Sequence, residues 1–203
     1  MRRSLREKRR EELFRAAQDE LSERREQLRR GVSKCEVWYF DEAGFSLLPS
    51  VPYAWQPIGE RIELPSSGSQ RQRQNVLGFL RWDGADFYAA AFEGRIDSHV
   101  VVGCFRQFAA EKKSVKPKLI VLANAPIHRS EEFEDELEEL AKCGVYVMFL
   151  PSYSPELNLI EMLWKKIKYE WLPMDIYGSF KTMSEGLFEV LKGIGSKYRI
   201  TFV

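Results

Sequence analysis

"KLIVLANAPIHRSEEFEDELEELAKCGVYVMFLP", Lys118–Pro151, decides the fold class. Two continuous apolar runs, "KLIVLA" and "VYVMFLP", flank an acidic segment in which Phe133, Leu137 and Leu140 recur at helical spacing. A short apolar run without polar alternation marks a strand buried on both faces. Strand, helix and strand in that order predict parallel strands joined by a right-handed crossover, with helices covering both faces of the sheet. In such sheets, chemistry gathers beyond the carboxyl ends of the strands. Ala123 stands at one such end, just before Asn124. A metal-using enzyme is expected to carry a carboxylate there, and this chain carries a methyl group.

Upstream, "CEVWYF" and "GFSLLP" read as two strands joined by a polar corner, Asp41-Glu42-Ala43. "QNVLGFLRW" and "DFYAAAFEG" read as a further pair turned at Trp82-Asp83-Gly84-Ala85. Ser98 is placed to cap a helix whose Val101, Phe105 and Phe108 share one stripe. Downstream, one helix is expected from about Glu156 to Trp171 and a last one from about Phe180 to Leu191. The whole is a mixed sheet flanked by helices, with the first strand entering Asp41 and a later one entering Ala123.

The charges of the 203-residue chain are segregated, so its net +1 hides a division. Residues 1–34 hold ten Arg and two Lys against seven acids, a net +5, which leaves −4 for residues 35–203. The first thirty residues lack proline and glycine, and Phe14, Ala17, Leu21 and Leu28 form a thin apolar stripe. They read as a basic helical arm or linker, 1–34, ahead of one main domain, 35–203; the arm is either a solubilising element or a contact to DNA backbone or a partner. Three scattered cysteines without a CxxC pair, and only two histidines, argue against a disulfide scaffold or a zinc site and for a reducing cytosol. No apolar run reaches the roughly 20 residues a membrane helix needs.

The helix around 156–171 carries Leu157, Ile160, Trp164, Ile167 and Trp171 on one stripe. Glu161 borders that stripe, where a carboxylate is costly without a partner. It is either a functional acid or half of an ordinary helical ion pair with Lys165.

Three blocks, "VWYFDEAGFSLLP", "VLANAPIHRS" and "LPSYSPELNLIEMLWKKIK", resemble the signature blocks of mariner-type DDE transposases, in particular the bacterial insertion-sequence branch. The intervening "YAWQPIGER" is similar to that branch's Trp-x-x-x-Gly segment. The resemblance implies an RNase H-like fold with a five-stranded mixed sheet, and DNA strand cleavage and transfer assisted by divalent metal. Asp41 matches the family's first acid and Glu161 the third. Asn124 and His128 match an Asp-Asn-x-x-x-His pattern whose acid is replaced by Ala123. Leu159 stands where proline is common, a milder departure. By this likeness two Mg2+ (or Mn2+) ions, about 3.5–4 Å apart, would be gripped by such acids, with Asp41 and Glu161 as the ligands left here. A methyl group holds no metal, so the chain is expected to be inactive as written, through either deliberate inactivation or natural decay of an element's copy.

The same likeness suggests partners: DNA at transposon ends and target, and a second copy of the chain in a homodimer or higher assembly. The expected location is the bacterial cytoplasm at the nucleoid, with no membrane. Candidate DNA contacts are Asn124, His128, Arg71, Arg73, Lys165 and Lys168. Each has a plainer reading. His128 is as well suited to bond local backbone, Arg71 and Arg73 to sit in a polar loop, and Lys168 to lie on a solvated face. The helix-turn-helix modules such proteins carry upstream have no room in residues 1–34, so the chain reads as a catalytic fragment or part of a split frame. The competing class is a non-enzymatic DNA-binding or assembly protein that kept the fold.

Overall fold

The computed structural model describes residues 8–48, 58–59 and 72–202. Arg71, and the "YAWQPIGER" segment apart from its Ile58 and Gly59, lie outside the described residues. Among the described residues, five strands form one mixed sheet in the order β3-β2-β1-β4-β5. β1 (Glu36–Ser46), β2 (Arg73–Arg81) and β3 (Phe87–Glu93) are antiparallel neighbours, while β4 (Lys118–Leu122) and β5 (Val145–Phe149) run parallel to β1. The chain reaches β4 from β3 through α2 (Ser98–Glu111), and β5 from β4 through α3 (Glu131–Lys142). These crossovers are the ones the apolar runs and helical stripe predicted.

The expected corner at Asp41 does not exist. β1 is a single eleven-residue strand, paired with β2 from Trp38↔Arg81 to Ser46↔Arg73. Ladder hydrogen bonding from β2 carries Asp41 and Glu42 as ordinary strand residues, so their side chains alternate between the two faces. The α2 cap also shifts by one residue: the Asp97 carboxylate accepts from the Val100 N–H, and Ser98 is the first helical residue.

One apolar layer packs α1 (Glu11–Arg29), α4 (Ile160–Lys166) and α5 (Phe180–Lys192) on the face bearing Val37, Tyr39, Ala43 and Phe45. The other packs α2 and α3 on Trp38, Phe40, Leu77 and Phe79. α1 contributes Phe14, Ala17 and Leu21 to its layer, and Leu28 lies against it. The acidic α3 is more than a solvated face: Glu136 is buried and accepts from Arg106 of α2 at 2.8 Å. The helix expected from Glu156 starts later. A short 3-10 turn at Pro155–Leu157 precedes α4, whose last turn widens into π-type bonding over Ile167–Trp171. Among the described residues no helix is long and apolar enough to cross a membrane. All three cysteines are free thiols.

Candidate active site

Asp41 and Ala123 are brought together by strand register. β1 and β4 are parallel, and Phe40 is level with Leu122. Asp41 and Ala123 therefore follow the same rung, on strands separated by about 4.8 Å. Pleat alternation turns Asp41 away from the Phe40 layer, toward the face that α4 covers.

α4 can reach that face because of a glycine. Gly78 of β2 is the residue opposite Asp41, and a Cβ there would lie 2.6 Å from Cη2 of Trp164. The indole fills the space a side chain would take, which seats α4 against the sheet beside Asp41. Glu161 is one helical turn before Trp164. A second anchor is Asn158, 3% exposed, whose Nδ2 donates to the Phe40 carbonyl at 2.9 Å. The start of α4 is thus tied to the residue adjoining Asp41.

Glu161, Ala123, Asn124 and Asn158 line one cleft of about 330 Å³, with Tyr153 and Ser154 among the other walls. The Asp41 carboxyl is pushed up to about 7, first by burial and then by the nearby charges of Glu161 and Glu42. No ion pair joins Glu161 to Lys165 among the described residues, and Lys165 is exposed. The charges of the two acids reach one another, and the Lys168 ammonium acts on both. Among the described residues no three His, Cys, Asp or Glu side chains form a metal-holding group.

His128 is 1% exposed, so its ring is no surface contact for a phosphate. Its Nδ1 lies 2.8 Å from the Ala123 carbonyl and its Nε2 lies 2.6 Å from Glu42 Oε1. The carbonyl can only accept, so Nδ1 carries a proton; a second proton on Nε2, donated to the Glu42 carboxylate, would make the ring an imidazolium. Burial opposes that charge, but the Glu42 hydrogen bond and charge outweigh it and the His128 pKa rises. The ring braces β1, one residue beyond Asp41, against the loop bearing Ala123.

The remaining candidates separate. Asn124 is exposed at the cleft. Lys165 is exposed, whereas Lys168 is not on a solvated face. It is half-buried, with Nζ 5.2 Å from the centre of the Phe45 ring. Burial depresses its pKa, the Arg73 charge adds to that, and Glu161 and Asp41 oppose it. Arg73 folds over Gly44, where a Cβ would sit 1.7 Å from its Nε. The structural roles of Gly78, Asn158 and Glu42 escaped sequence reasoning. A glycine inside the apolar run "NVLGFL" was the one available signal, since a strand glycine marks close approach of another group.

The sequence pattern described as "DDE superfamily endonuclease" matches residues 36–184. The chain belongs to the DDE superfamily of endonucleases. Within that superfamily it is similar to an uncharacterised 39 kDa protein of insertion element IS630 from Shigella sonnei, 26% identical over 131 residues, 64% of this chain and 37% of the relative. The fold is that of the Mos1 mariner transposase catalytic domain: TM-score 0.63, 15% identity, covering 95% of this chain and 85% of that one. The Mos1 strand transfer complex gives TM-score 0.67 at 16% identity, over 94% of this chain and 56% of its own. This DDE chain spans little more than a third of its insertion-element relative. The RNase H-like sheet expected from the sequence is the one observed.

Proposed function

We propose that the chain is the catalytic domain of an insertion-element transposase, built for metal-dependent DNA strand cleavage and transfer and silenced at position 123. What supports this reading is that Asp41, midway along β1, is level with Ala123 at the carboxyl end of β4, that Glu161 and Ala123 line one cleft, and that the charge of Glu161 reaches Asp41. The Mos1 structures similar in fold include a paired-end complex with Mn and a catalytic domain with Mg, which supports divalent metal as the partner of these acids.

The donor set fits such an ion. Asp41 is a buried carboxyl held up by a neighbouring acid, and a hard cation favours carboxylate oxygens of this kind. Asp41 and Glu161 would hold it. When bound, the metal supplies Lewis-acid activation of the attacking oxygen and stabilisation of the leaving one. The protein's own groups set the geometry. Asn158 and Trp164 fix the seat of α4 and so the position of Glu161. His128 and Glu42 brace the loop at position 123. Arg73 and Lys168 supply positive charge beyond the acids, where a DNA backbone would lie; Asn124 borders the cleft. Ala123 contributes no oxygen ligand, so a two-ion site would lack one carboxylate.

Substituting Ala123→Asp and assaying Mg2+- or Mn2+-dependent nicking of duplex DNA tests the proposal. The restored variant is expected to cut and the present chain to bind without cutting. Equal cutting by both, or none by either, would overturn the silenced-acid reading. The second reading, a DNA-binding or assembly protein without chemistry, is favoured by the same methyl group. It predicts steeply salt-dependent DNA binding by both chains and no cleavage by either.

A further inference from the structure

Tyr153 is the only non-glycine residue with a positive φ, +60°, among the described residues. It lies in the turn between β5 and α4, beside Pro155 and buried Ser154, on the wall of the cleft shared by Glu161, Ala123 and Asn124. Tyrosine is a poor choice for this backbone, because an L residue with a Cβ is strained in the left-handed region and glycine is not. Its side chain does not repay that strain within the protein. The residue is 44% exposed and makes no aromatic or cation–π contact among the described residues. By contrast, Phe45 and Phe87 meet Trp164 edge-on, and Phe149 sits under Arg129. A strained, exposed aromatic residue on the wall of a cleft, with no ring partner among the described residues, points to use by a ligand.

We propose that Tyr153 is a stacking platform for an unpaired nucleobase next to the phosphate that the Asp41–Glu161 site addresses. The inference rests on the DNA-processing reading above. Duplex bases are inaccessible to a side chain in such a cleft, whereas a frayed or overhanging base offers a π-face, and every base has one. The platform would hold the strand end in register with the acids without reading its sequence, acting through position and not as a catalytic residue.

The test uses the full chain with Mg2+ and two synthetic probes of equal duplex length. One is blunt with an internal 2-aminopurine; the other carries a three-nucleotide single-stranded overhang with 2-aminopurine at the junction. The unmodified chain should prefer the overhang and quench its fluorescence. Tyr153→Gly suits the backbone and should fold at least as stably, yet lose the preference by about tenfold, the scale of one base–aromatic stack. Tyr153→Phe and Tyr153→Trp should keep it, and blunt-duplex affinity should not change. Retention of preference and quenching by Tyr153→Gly would overturn the platform. Equal binding of both probes by the unmodified chain would overturn it while leaving the DNA reading intact. Binding of neither probe would remove both.

Discussion

Gly78 stands directly opposite Asp41 in the β1–β2 ladder, and the side chain it lacks is the space the Trp164 indole occupies. That relation sets how near the acid-bearing helix comes to the acid-bearing strand. Substituting Gly78→Ala would place a methyl 2.6 Å from Cη2 and 2.8 Å from Cζ2 of Trp164 and 3.1 Å from Cε2 of Phe87. None of these rings can move freely, since Trp164 also packs edge-on against Phe45 and Phe87. Overpacking of this kind costs about 1–3 kcal/mol. The expected outcome is a lower denaturant midpoint with an unchanged m-value, measured by chemical unfolding.

Asp41 makes stability depend on pH in the metal-free protein. Its folded pKa is raised to about 7 from an ordinary 3.8, so the folded state holds the proton more tightly than the unfolded chain. Stability is then full below about pH 4 and falls as pH rises to about 7, by up to about 4 kcal/mol for a shift of this size. Asp41→Asn should flatten that part of the profile. Millimolar Mg2+ should also flatten it, by favouring the ionised carboxylate. A profile from pH 4 to 7 identical in the parent and in Asp41→Asn would contradict the assignment.

His128 titrates in the same sense for a different reason. Despite the opposing effect of burial, its pKa is raised by the hydrogen bond and charge of Glu42. Its stabilising contribution is present below the unfolded value near 6.5 and is lost as pH rises through the folded value. His128→Gln keeps a donor but no charge, so the pH dependence above about 6.5 should shrink. His128→Ala also leaves a buried space, at a cost of about 2–4 kcal/mol. Urea unfolding of both variants across pH 6–9 separates the charge from the volume.

Restoring the acid should be visible without any nicking assay. If Asp41 and Glu161 lack one companion ligand, Ala123→Asp should bind Mg2+ or Mn2+ more tightly and be stabilised by it through mass action. The parent should gain little over the same range. Thermal melts at increasing metal concentration should show a larger rise in Tm for the variant; superimposable curves would indicate that position 123 does not face the ion.

Much of this architecture was legible from local pattern. The apolar runs at 118–123 and 145–151 and the helical stripes between them dictate a parallel crossover, because burial on both faces leaves no other way to satisfy them. Asp41 and Glu161 stood out as candidate acids through the resemblance of the sequence blocks, since the border of a buried stripe left Glu161 open between a functional acid and half of an ion pair with Lys165. The Asp41-Glu42 pair was misread as a corner, since two acids in succession look like a break in a strand. Ladder pairing with β2 overrides that local signal, a partner's register being invisible in one strand's own residues.

What the amino-acid order determined by itself is which segments become strands and helices, because hydrophobic periodicity is a property of near neighbours. Only the tertiary structure decided that Asn158 holds the Phe40 carbonyl, that His128 bridges Glu42 and Ala123, and that Trp164 lies in the gap at Gly78. The partners in these contacts stand 118, 86 and 86 residues apart for Asn158–Phe40, His128–Glu42 and Trp164–Gly78. Contacts across such separations depend on how whole layers pack, and no periodicity within one element encodes them.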